Sequence, residues 1–193
     1  MSAGSLGLVG VLSFVFVLCI SAQPLWHTDL WDHVNYGRWI LTTGQISDSE
    51  PLLETSDHPM INTEWGAQVL MACIVDTPSL GPAALQLLYG LLILTSTGAV
   101  GWCVFRCSRS AFFGLMASLT LLIVNWQQFL VIRPQLGGVA CYCILLSLLF
   151  TVRSRALWIV FPILFVVWAN IHGSFAMGLS LMGVFVAGQF LNV

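Results

Sequence analysis

Six uncharged apolar runs alternate with polar segments along the chain. They are residues 4–22, 80–105, 110–130, 137–152, 157–168 and 175–193. A charge at the centre of a spanning helix costs about 2.5–3.5 kcal/mol, and a span needs about 20 predominantly apolar residues. The pattern therefore predicts an all-α protein, a polytopic transmembrane helical bundle of five or six spans.

Two apolar segments, the first run and a shorter segment at residues 65–75, need separate interpretation. Residues 4–22 fit either a retained first span or the apolar core of a signal peptide. The length of the run and the lack of a positive residue before it favour the retained span. Residues 65–75 are too few to span, so we expect an interfacial or half-inserted helix there.

Composition narrows the class of protein. The chain has 193 residues, of which 58% are hydrophobic and 7% are charged. Soluble domains carry about 25% charged residues, so residues 1–193 are expected to form a single transmembrane domain. With no lysine and a net charge of -2, the chain has too little positive charge to bind nucleic acid. The six cysteines match no zinc or redox spacing and are expected to pack as small hydrophobic residues.

Arginine placement predicts the orientation. The two basic pairs are Arg106 with Arg109 and Arg153 with Arg155, and the positive-inside rule puts both on the cytoplasmic side. Alternation then makes residues 23–64 a non-cytoplasmic first loop. The same alternation gathers the polar residues with chemical potential on that outer face: Asp29, Asp32, His33, Glu64, Arg133, Gln135, Asn170 and His172.

The first loop contains an amphipathic stretch that we expect to form a surface helix from Asp29 to Thr43, capped by Thr28 or Asp29. One face carries Asp29, Asp32, His33 and Tyr36, and the other carries Leu30, Val34, Gly37 and Leu41. The polar face is either a solvated surface or a site turned toward the outer mouth of the bundle. As a site, its carboxylates can accept a proton, and Asp29 with Asp32 can hold Mg²⁺ or Mn²⁺.

Three further polar groups each have a structural and a functional interpretation. Glu64 either interacts with the dipole of the half-inserted helix or joins the acidic cluster. Arg133 either anchors to lipid phosphate or binds a substrate phosphate, with Gln135 beside it. Asn170 and His172 follow the fifth run, in a turn expected at residues 169–174, where they are either satisfied structural groups or substrate contacts.

Taken together, these local patterns resemble bacterial membrane proteins related to the GT-C glycosyltransferases. The first outer loop of those proteins often reads D-x-W-W-H, G-x-x-I, G-x-I-P and H-E-W, and later signatures read R-P-Q and W-A-N-x-H-G. The matching stretches here, within residues 25–180, are Asp29 to His33, Gly37 to Ile40, Gly44 to Ile46, Asn62 to Trp65, Arg133 to Gln135 and Trp168 to Gly173. Asp32, Ser47 and Thr63 depart from the pattern.

The resemblance implies a multi-span enzyme of the bacterial inner membrane that takes a sugar from a polyprenyl-phosphate carrier at the outer face. Asp29 matches the leading acid and becomes the base or metal-facing residue, with Asp32, His33 and Glu64 supporting it. We expect Arg133 to bind the carrier phosphate from the wall of a cleft opposite Asp29. Such transferases usually have more spans, so the chain is expected to be a fragment, a truncated product or one part of a larger membrane complex.

Two other classes compete with this prediction. A non-catalytic membrane subunit would bind a partner protein through its outer loop, which the short chain favours and the one-sided polar cluster does not. A small transporter would need ionisable residues within the spans, and the apolar runs lack them. The leading hypothesis is therefore a glycosyltransferase or its N-terminal module.

Overall fold

The computed structural model describes residues 11–12, 15–16, 18–22, 25, 28–52, 59 and 61–191. Within these residues the chain is helical and contains no strand beyond an isolated bridge between Ser49 and Pro59, so the all-α prediction is confirmed for this part. The helices are α1 (Thr28–Thr43), α2 (Trp65–Asp76), α3 (Gly81–Ser108), α4 (Ala111–Val124), α5 (Trp126–Phe129), α6 (Gln135–Thr151), α7 (Leu157–Ile171) and α8 (Phe175–Leu191).

Helices α1 and α2 pack closely because a glycine lies at their crossing. A Cβ atom on Gly37 would overlap the backbone oxygen of Gln68 and lie 2.8 Å from the Cβ of Ala72. Leu30 and Val34 are buried on the same face of α1 and pack with Met71. Burial of these apolar side chains is the main force that fixes α1 against α2.

The apolar face of α1 differs by one position from the prediction. Ile40 is buried in place of Leu41, which is exposed. Both positions continue the helical spacing from Gly37, and the contact with α2 selects the first of them. The side of the helix that carries Asp29 and His33 agrees with the prediction.

Helix α3 is the longest helix, and it packs against both α4 and α6. Small residues allow the approach to α4, since Gly114 lies against the backbone of Gly101. The Ser118 hydroxyl donates to the backbone oxygen of Thr97 at 2.9 Å. Close approach of backbones through small residues, together with hydroxyl hydrogen bonds, is typical of helix pairs in membranes.

Helices α6, α7 and α8 surround Trp168, which is completely buried. The rings of Phe165 and Trp168 stack with centroids 5.8 Å apart, and Gly178 of α8 lies against the indole. Further along, Phe150 of α6 and Phe185 of α8 meet edge to face at 5.4 Å. These contacts fix the end of α7, which contains the candidate residue Asn170 and is followed directly by His172.

The helix contacts place the connections at two ends of the molecule. Leu136 packs with Tyr89 near the start of α3, so α3 and α6 run in the same direction. Ile171, at the end of α7, lies against Gly137 near the start of α6, so α7 runs back. The loop before α2, the turn before α6 and the turn after α7 therefore share one end, and both arginine pairs lie toward the other.

The third apolar run is not one continuous helix, which corrects the prediction for residues 110–130. Helix α4 ends at Val124, and the short α5 follows. Asn125 interrupts the run because its backbone N–H and its side-chain amide both donate to the Leu121 oxygen, the latter at 3.0 Å. A polar side chain that competes for helix carbonyls in this way favours a helix end.

One helix among the described residues, α3, is long and apolar enough to cross a bilayer. The other apolar helices, α2, α4, α6, α7 and α8, have between 12 and 17 residues. Of the predicted first span at residues 4–22, residues 4–10, 13, 14 and 17 lie outside the described residues. All six cysteines are free. Cys103, Cys141 and Cys143 are buried, as expected of packing residues, whereas Cys19, Cys73 and Cys107 are exposed.

Candidate functional site

The candidate site begins with an ion pair between α1 and the turn before α6. Asp29 lies in the first turn of α1, and Arg133 is separated from it by 104 residues of sequence. The Arg133 guanidinium donates through Nη2 to the Asp29 carboxylate. Both side chains are about two-fifths exposed, so the pair lies at the boundary of the fold. The two residues therefore contact each other directly, which corrects the expectation that they face each other across a cleft.

Glu64 lies between two histidines at the start of α2. Its Oε1 is 3.2 Å from Nε2 of His172, and its Oε2 is 3.7 Å from Nδ1 of His33. His33 comes from α1, one turn after Asp29, and His172 comes from the turn between α7 and α8. Three separate segments thus meet at one carboxylate, and the structure brings together Glu64, His33 and His172, which were expected on one face of the bundle.

Two amides connect Glu64 to His33 and were missed by the sequence analysis as site residues. The Asn62 side chain accepts from the backbone N–H of Glu64 at 3.1 Å and donates to Gln68 Oε1 at 2.7 Å. Gln68 Nε2 in turn lies 3.4 Å from His33 Nδ1. The available signal was the spacing Glu64 to Gln68, since residues four apart share a helix face. Gln68 is buried, so its amide groups need such partners.

The turn that carries His172 is held by hydrogen bonds of its own. The backbone N–H of Ser174 donates to His172 Nδ1 at 3.1 Å, and the indole N–H of Trp168 donates to the Ser174 hydroxyl at 3.0 Å. A Cβ atom on Gly138 would overlap that hydroxyl, and Gly173 lies against Thr63. Close packing on both sides fixes the position of the imidazole relative to Glu64.

The environment changes the proton affinity of His33. Burial lowers the pKa of His33 from its usual range, because desolvation disfavours the imidazolium. The carboxylates of Glu64, Asp29 and Asp32 oppose this change, while the positive charge of Arg133 adds to it. The net direction is downward, so His33 is more readily neutral than a free histidine.

An apolar cavity adjoins the ion pair. It has a volume of about 110 Å³ and lies between α2, α3 and the start of α6, with Arg133 in its wall. Two polar atoms there are buried without a hydrogen-bond partner among the described residues, the Tyr89 hydroxyl and Nε of Arg133. The remaining lining is mainly aliphatic, from Leu85, Leu88, Leu92, Ile132 and Ile171. A charged group next to an apolar space suits a ligand with a polar head and an apolar chain.

The other predicted site residues lie near this cluster without joining it. Asp32 is exposed on α1, and Gln135 is exposed at the first position of α6. Asn170 lies within α7 and not in the expected turn, because α7 continues to Ile171. Its side-chain amide donates to the backbone oxygen of Val166 at 2.6 Å. The turn is consequently reduced to residues 172–174.

The predicted metal pair does not form a ready-made ligand set. Within the described part of the chain, no group of three or more His, Cys, Asp or Glu side chains is arranged to hold a metal ion. Asp29 is paired with Arg133, and Asp32 is exposed one turn away. The Mg²⁺ or Mn²⁺ ion at these residues stays a prediction.

Comparison with protein-family models, with curated proteins and with solved structures gives no match. The interpretation of the site accordingly depends on its own geometry.

Proposed function

We propose that the chain is a multi-pass integral membrane protein, with α3 and the shorter apolar helices α4, α6, α7 and α8 embedded in lipid. The support is the exposed surface of these helices, which carries large apolar side chains in numbers that water-soluble surfaces avoid. Among them are Phe112, Ile123, Val124, Trp158, Ile159, Val166, Val184 and Phe190, each more than three-fifths exposed. Helices α6 and α8, with 17 residues, are at the lower limit for a span, and α4 and α7, with 14 and 15 residues, are shorter.

In this proposal the end of the molecule with the candidate site faces away from the cytoplasm. The arginines of both basic pairs, at residues 106, 109, 153 and 155, then lie on the cytoplasmic side, as the positive-inside rule requires. The site is placed at headgroup depth, where a lipid phosphate and a water-soluble acceptor can meet.

The activity we propose is transfer of a sugar from a polyprenyl-phosphate carrier at the outer face of a bacterial inner membrane. In this proposal the chain is a GT-C-like glycosyltransferase or the N-terminal module of one. The observation that carries this proposal is the Asp29–Arg133 ion pair beside the apolar cavity. Guanidinium groups bind phosphate through paired hydrogen bonds, and the aliphatic lining suits an isoprenoid chain.

The ion pair supplies a way to couple carrier binding to catalysis. A carrier phosphate that binds Arg133 competes with Asp29 and leaves that carboxylate unpaired. Asp29 then accepts the proton of the acceptor hydroxyl, whose oxygen bonds to the anomeric carbon of the sugar. The bond from that carbon to the phosphate oxygen breaks, and polyprenyl phosphate leaves. Asp32 and Glu64 supply the surrounding negative charge with His33 beside them, and His172 holds Glu64. Gln135 and Asn170 are the further substrate contacts in this proposal.

A transfer assay in proteoliposomes that contain a polyprenyl-phosphate sugar tests the catalytic role. Asp29→Asn keeps the volume of the side chain and removes its charge, so transfer is expected to fall by at least about a hundredfold, the usual contribution of a general base. Asp76→Asn is the matched control, because Asp76 also pairs with an arginine, Arg38, at a surface-exposed position. Full activity of Asp29→Asn would reject the role of Asp29 as base. Chelation by EDTA tests the predicted Mg²⁺ or Mn²⁺ ion separately.

A second candidate is a non-catalytic membrane subunit that binds a partner through the residues 23–64 loop. The observation in its favour is that Asp29 and Arg133 neutralise each other, as structural ion pairs do. It predicts that the isolated chain has no transfer activity and co-purifies with a larger membrane enzyme. Restoration of transfer by that enzyme, equally with wild type and Asp29→Asn, would identify the chain as a subunit.

A further inference from the structure

His172 is held in a single neutral form by its hydrogen bonds. A backbone N–H can only donate, so the bond from Ser174 N–H to Nδ1 requires an unprotonated Nδ1. The proton of neutral His172 is therefore on Nε2, which lies 3.2 Å from Glu64 Oε1. Both ring nitrogens of His172 are engaged within the protein, and its role is to hold Glu64.

A chain of three hydrogen bonds makes a similar choice for His33. The backbone N–H of Glu64 donates to Asn62 Oδ1, which identifies the other terminal atom of Asn62 as the donor, Nδ2. That donor faces Gln68 Oε1, so the opposite end of the Gln68 amide is the nitrogen. An amide nitrogen carries two N–H groups and accepts nothing. The atom of His33 that faces it, Nδ1, is therefore the acceptor in this contact. Glu64 Oε2 is also near Nδ1, but at 3.7 Å it lies beyond hydrogen-bond distance.

The opposite arrangement would place donors against each other. If Nδ1 of His33 carried the proton, its N–H would point at Nε2 of Gln68, which is 3.4 Å from Nδ1 and carries two N–H groups. To remove that conflict Gln68 would have to turn over, and its nitrogen would then face the amide nitrogen of Asn62. Buried donors left without acceptors cost about 1–3 kcal/mol each.

The consequence is that Nε2 carries the proton of neutral His33. Among the described residues no hydrogen bond to this nitrogen is present, and 19% of the side chain is exposed. His33 therefore offers an N–H group to a ligand, where the other tautomer would offer a lone pair and act as a base.

We propose that Gln68 is a positioning residue that fixes the tautomer of His33, and that His33 thereby acts as a hydrogen-bond donor to a phosphate oxygen of the ligand. Asn62 acts through Gln68 in the same way. Arg133 binds Asp29, which lies one turn before His33 on the same face of α1, so Arg133 and His33 are placed to supply donors to one anionic group. Only the choice of a phosphate as ligand rests on the proposed function.

The tautomer is measured by ¹⁵N NMR of the histidine side chains in the full chain in detergent micelles. The spectra are recorded at about pH 8, where a neutral histidine shows which nitrogen carries the proton. The signals of His33 are assigned by their loss in His33→Phe. We expect a protonated Nε2 and an unprotonated Nδ1 for both His33 and His172 in the wild-type protein.

Two variants are expected to reverse the tautomer of His33 alone. In Asn62→Asp the new carboxylate can only accept, so Gln68 turns over and its Oε1 faces His33, which moves the proton to Nδ1. In Gln68→Glu a carboxylate replaces the amide that lies 3.4 Å from Nδ1, closer than Glu64 Oε2 at 3.7 Å, and draws a proton there. His172 is the internal reference for correct folding, because a backbone N–H sets its tautomer. Gln127→Glu adds the same charge at an exposed position and is expected to change neither histidine.

The ligand half of the proposal is tested by titration with inorganic phosphate. We expect the Nε2–H signal of His33 to shift, and the affinity for phosphate to fall about tenfold in His33→Phe, because a hydrogen bond to a charged group is lost. Tyr36→Phe removes a hydroxyl one turn further along α1 and is expected to leave the affinity unchanged.

Three results would overturn the inference: an Nδ1–H tautomer in the wild-type protein, an unchanged tautomer in a folded Asn62→Asp or Gln68→Glu variant, or phosphate affinity that does not depend on His33. Absence of sugar transfer together with the expected tautomer and phosphate binding would reject the proposed function and leave this inference in place. Sugar transfer together with an Nδ1–H tautomer, or with phosphate binding that does not depend on His33, would reject the inference and leave the proposed function in place.

Discussion

Arg133 is the residue on which phosphate recognition depends in our proposal. Arg133→Lys keeps the positive charge but replaces a planar fork of donors by a single ammonium group. The ion pair with Asp29 is about two-fifths exposed, and exposed pairs contribute only about 0–1 kcal/mol to stability. A change at Arg133 is therefore expected to act mainly on binding.

We expect Arg133→Lys to weaken binding of the polyprenyl-phosphate sugar by about tenfold and to leave the unfolding temperature nearly unchanged. The loss corresponds to one charge-assisted hydrogen bond, about 1.5 kcal/mol. The dependence of transfer rate on carrier concentration measures it, and Arg38→Lys, at the exposed pair with Asp76, is the control. Equal carrier affinity in Arg133→Lys and wild type would contradict phosphate recognition by the Arg133 fork.

His33 is expected to make stability depend on pH. Its pKa is lowered in the folded chain from the value of 6.5 for a free histidine. Between the lowered pKa and 6.5 the unfolded chain binds more protons than the folded one. The contribution of His33 to stability is thus complete above pH 6.5 and is lost as pH falls through the lowered pKa.

Thermal unfolding in detergent over a pH series measures this effect. Below pH 6.5 the unfolding temperature of the wild-type chain is expected to fall more steeply than that of His33→Gln, which has no imidazole to protonate. Parallel curves for the two proteins would contradict the lowered pKa of His33.

At the scale of elements, the crossing of α1 and α2 brings His33 to Gln68. The crossing is close because position 37 has no side chain, and the backbone of Gln68 occupies the space. Arg38 and Asp76 form a second contact at the exposed edge of the same pair, with a shortest distance of 2.6 Å. Burial of their apolar faces holds α1 and α2 together, and Gly37 sets the distance between the two helices.

Gly37→Ala is expected to lower the free energy of unfolding by about 1–3 kcal/mol, because the added methyl group overlaps backbone that cannot move aside cheaply. Gly98→Ala is the matched control, since a Cβ at that helical position meets no atom within 4 Å. Alanine is favoured over glycine in helices by about 1 kcal/mol, so the control is expected to be neutral or stabilising. Unfolding temperatures in detergent compare the two, and equal effects would contradict the close crossing.

At the scale of the whole molecule, the direction of each helix decides which polar residues share an end. Helices α3 and α6 run away from the site, and α7 returns to it. The loop before α2 and the turn after α7 thus meet at Glu64, while the arginine pairs lie toward the opposite end. The side of the membrane on which each end lies stays a prediction.

Labelling with a membrane-impermeant maleimide tests that topology. We expect Ser49→Cys to react in intact cells and Ser154→Cys to react only after permeabilisation, because arginine bias orients short loops. The background protein carries serine in place of the exposed cysteines Cys19, Cys73 and Cys107. Reaction of both positions from the same side would reject the proposed orientation.

Much of the secondary structure could be predicted from the sequence, because helix formation and burial follow local patterns. The spacing of Leu30 and Val34 against Asp29 and His33 indicated both faces of α1, and the apolar runs indicated α3, α6, α7 and α8. The break at Asn125 was missed because a single polar residue barely changes the hydropathy of a run. The sequence also indicated that Glu64, Arg133 and His172 belong at one end with α1.

Only the tertiary structure decided which of these residues touch. The partnership of Asp29 with Arg133 spans 104 residues, and no local pattern encodes such a pair, because it results from how α1 and the turn before α6 approach each other. The same holds for Gln68, whose link to His33 exists only where Gly37 lets two helices come close. Hydropathy sets which segments are buried together, whereas a hydrogen bond requires a close and directed approach of two particular atoms, which packing alone determines.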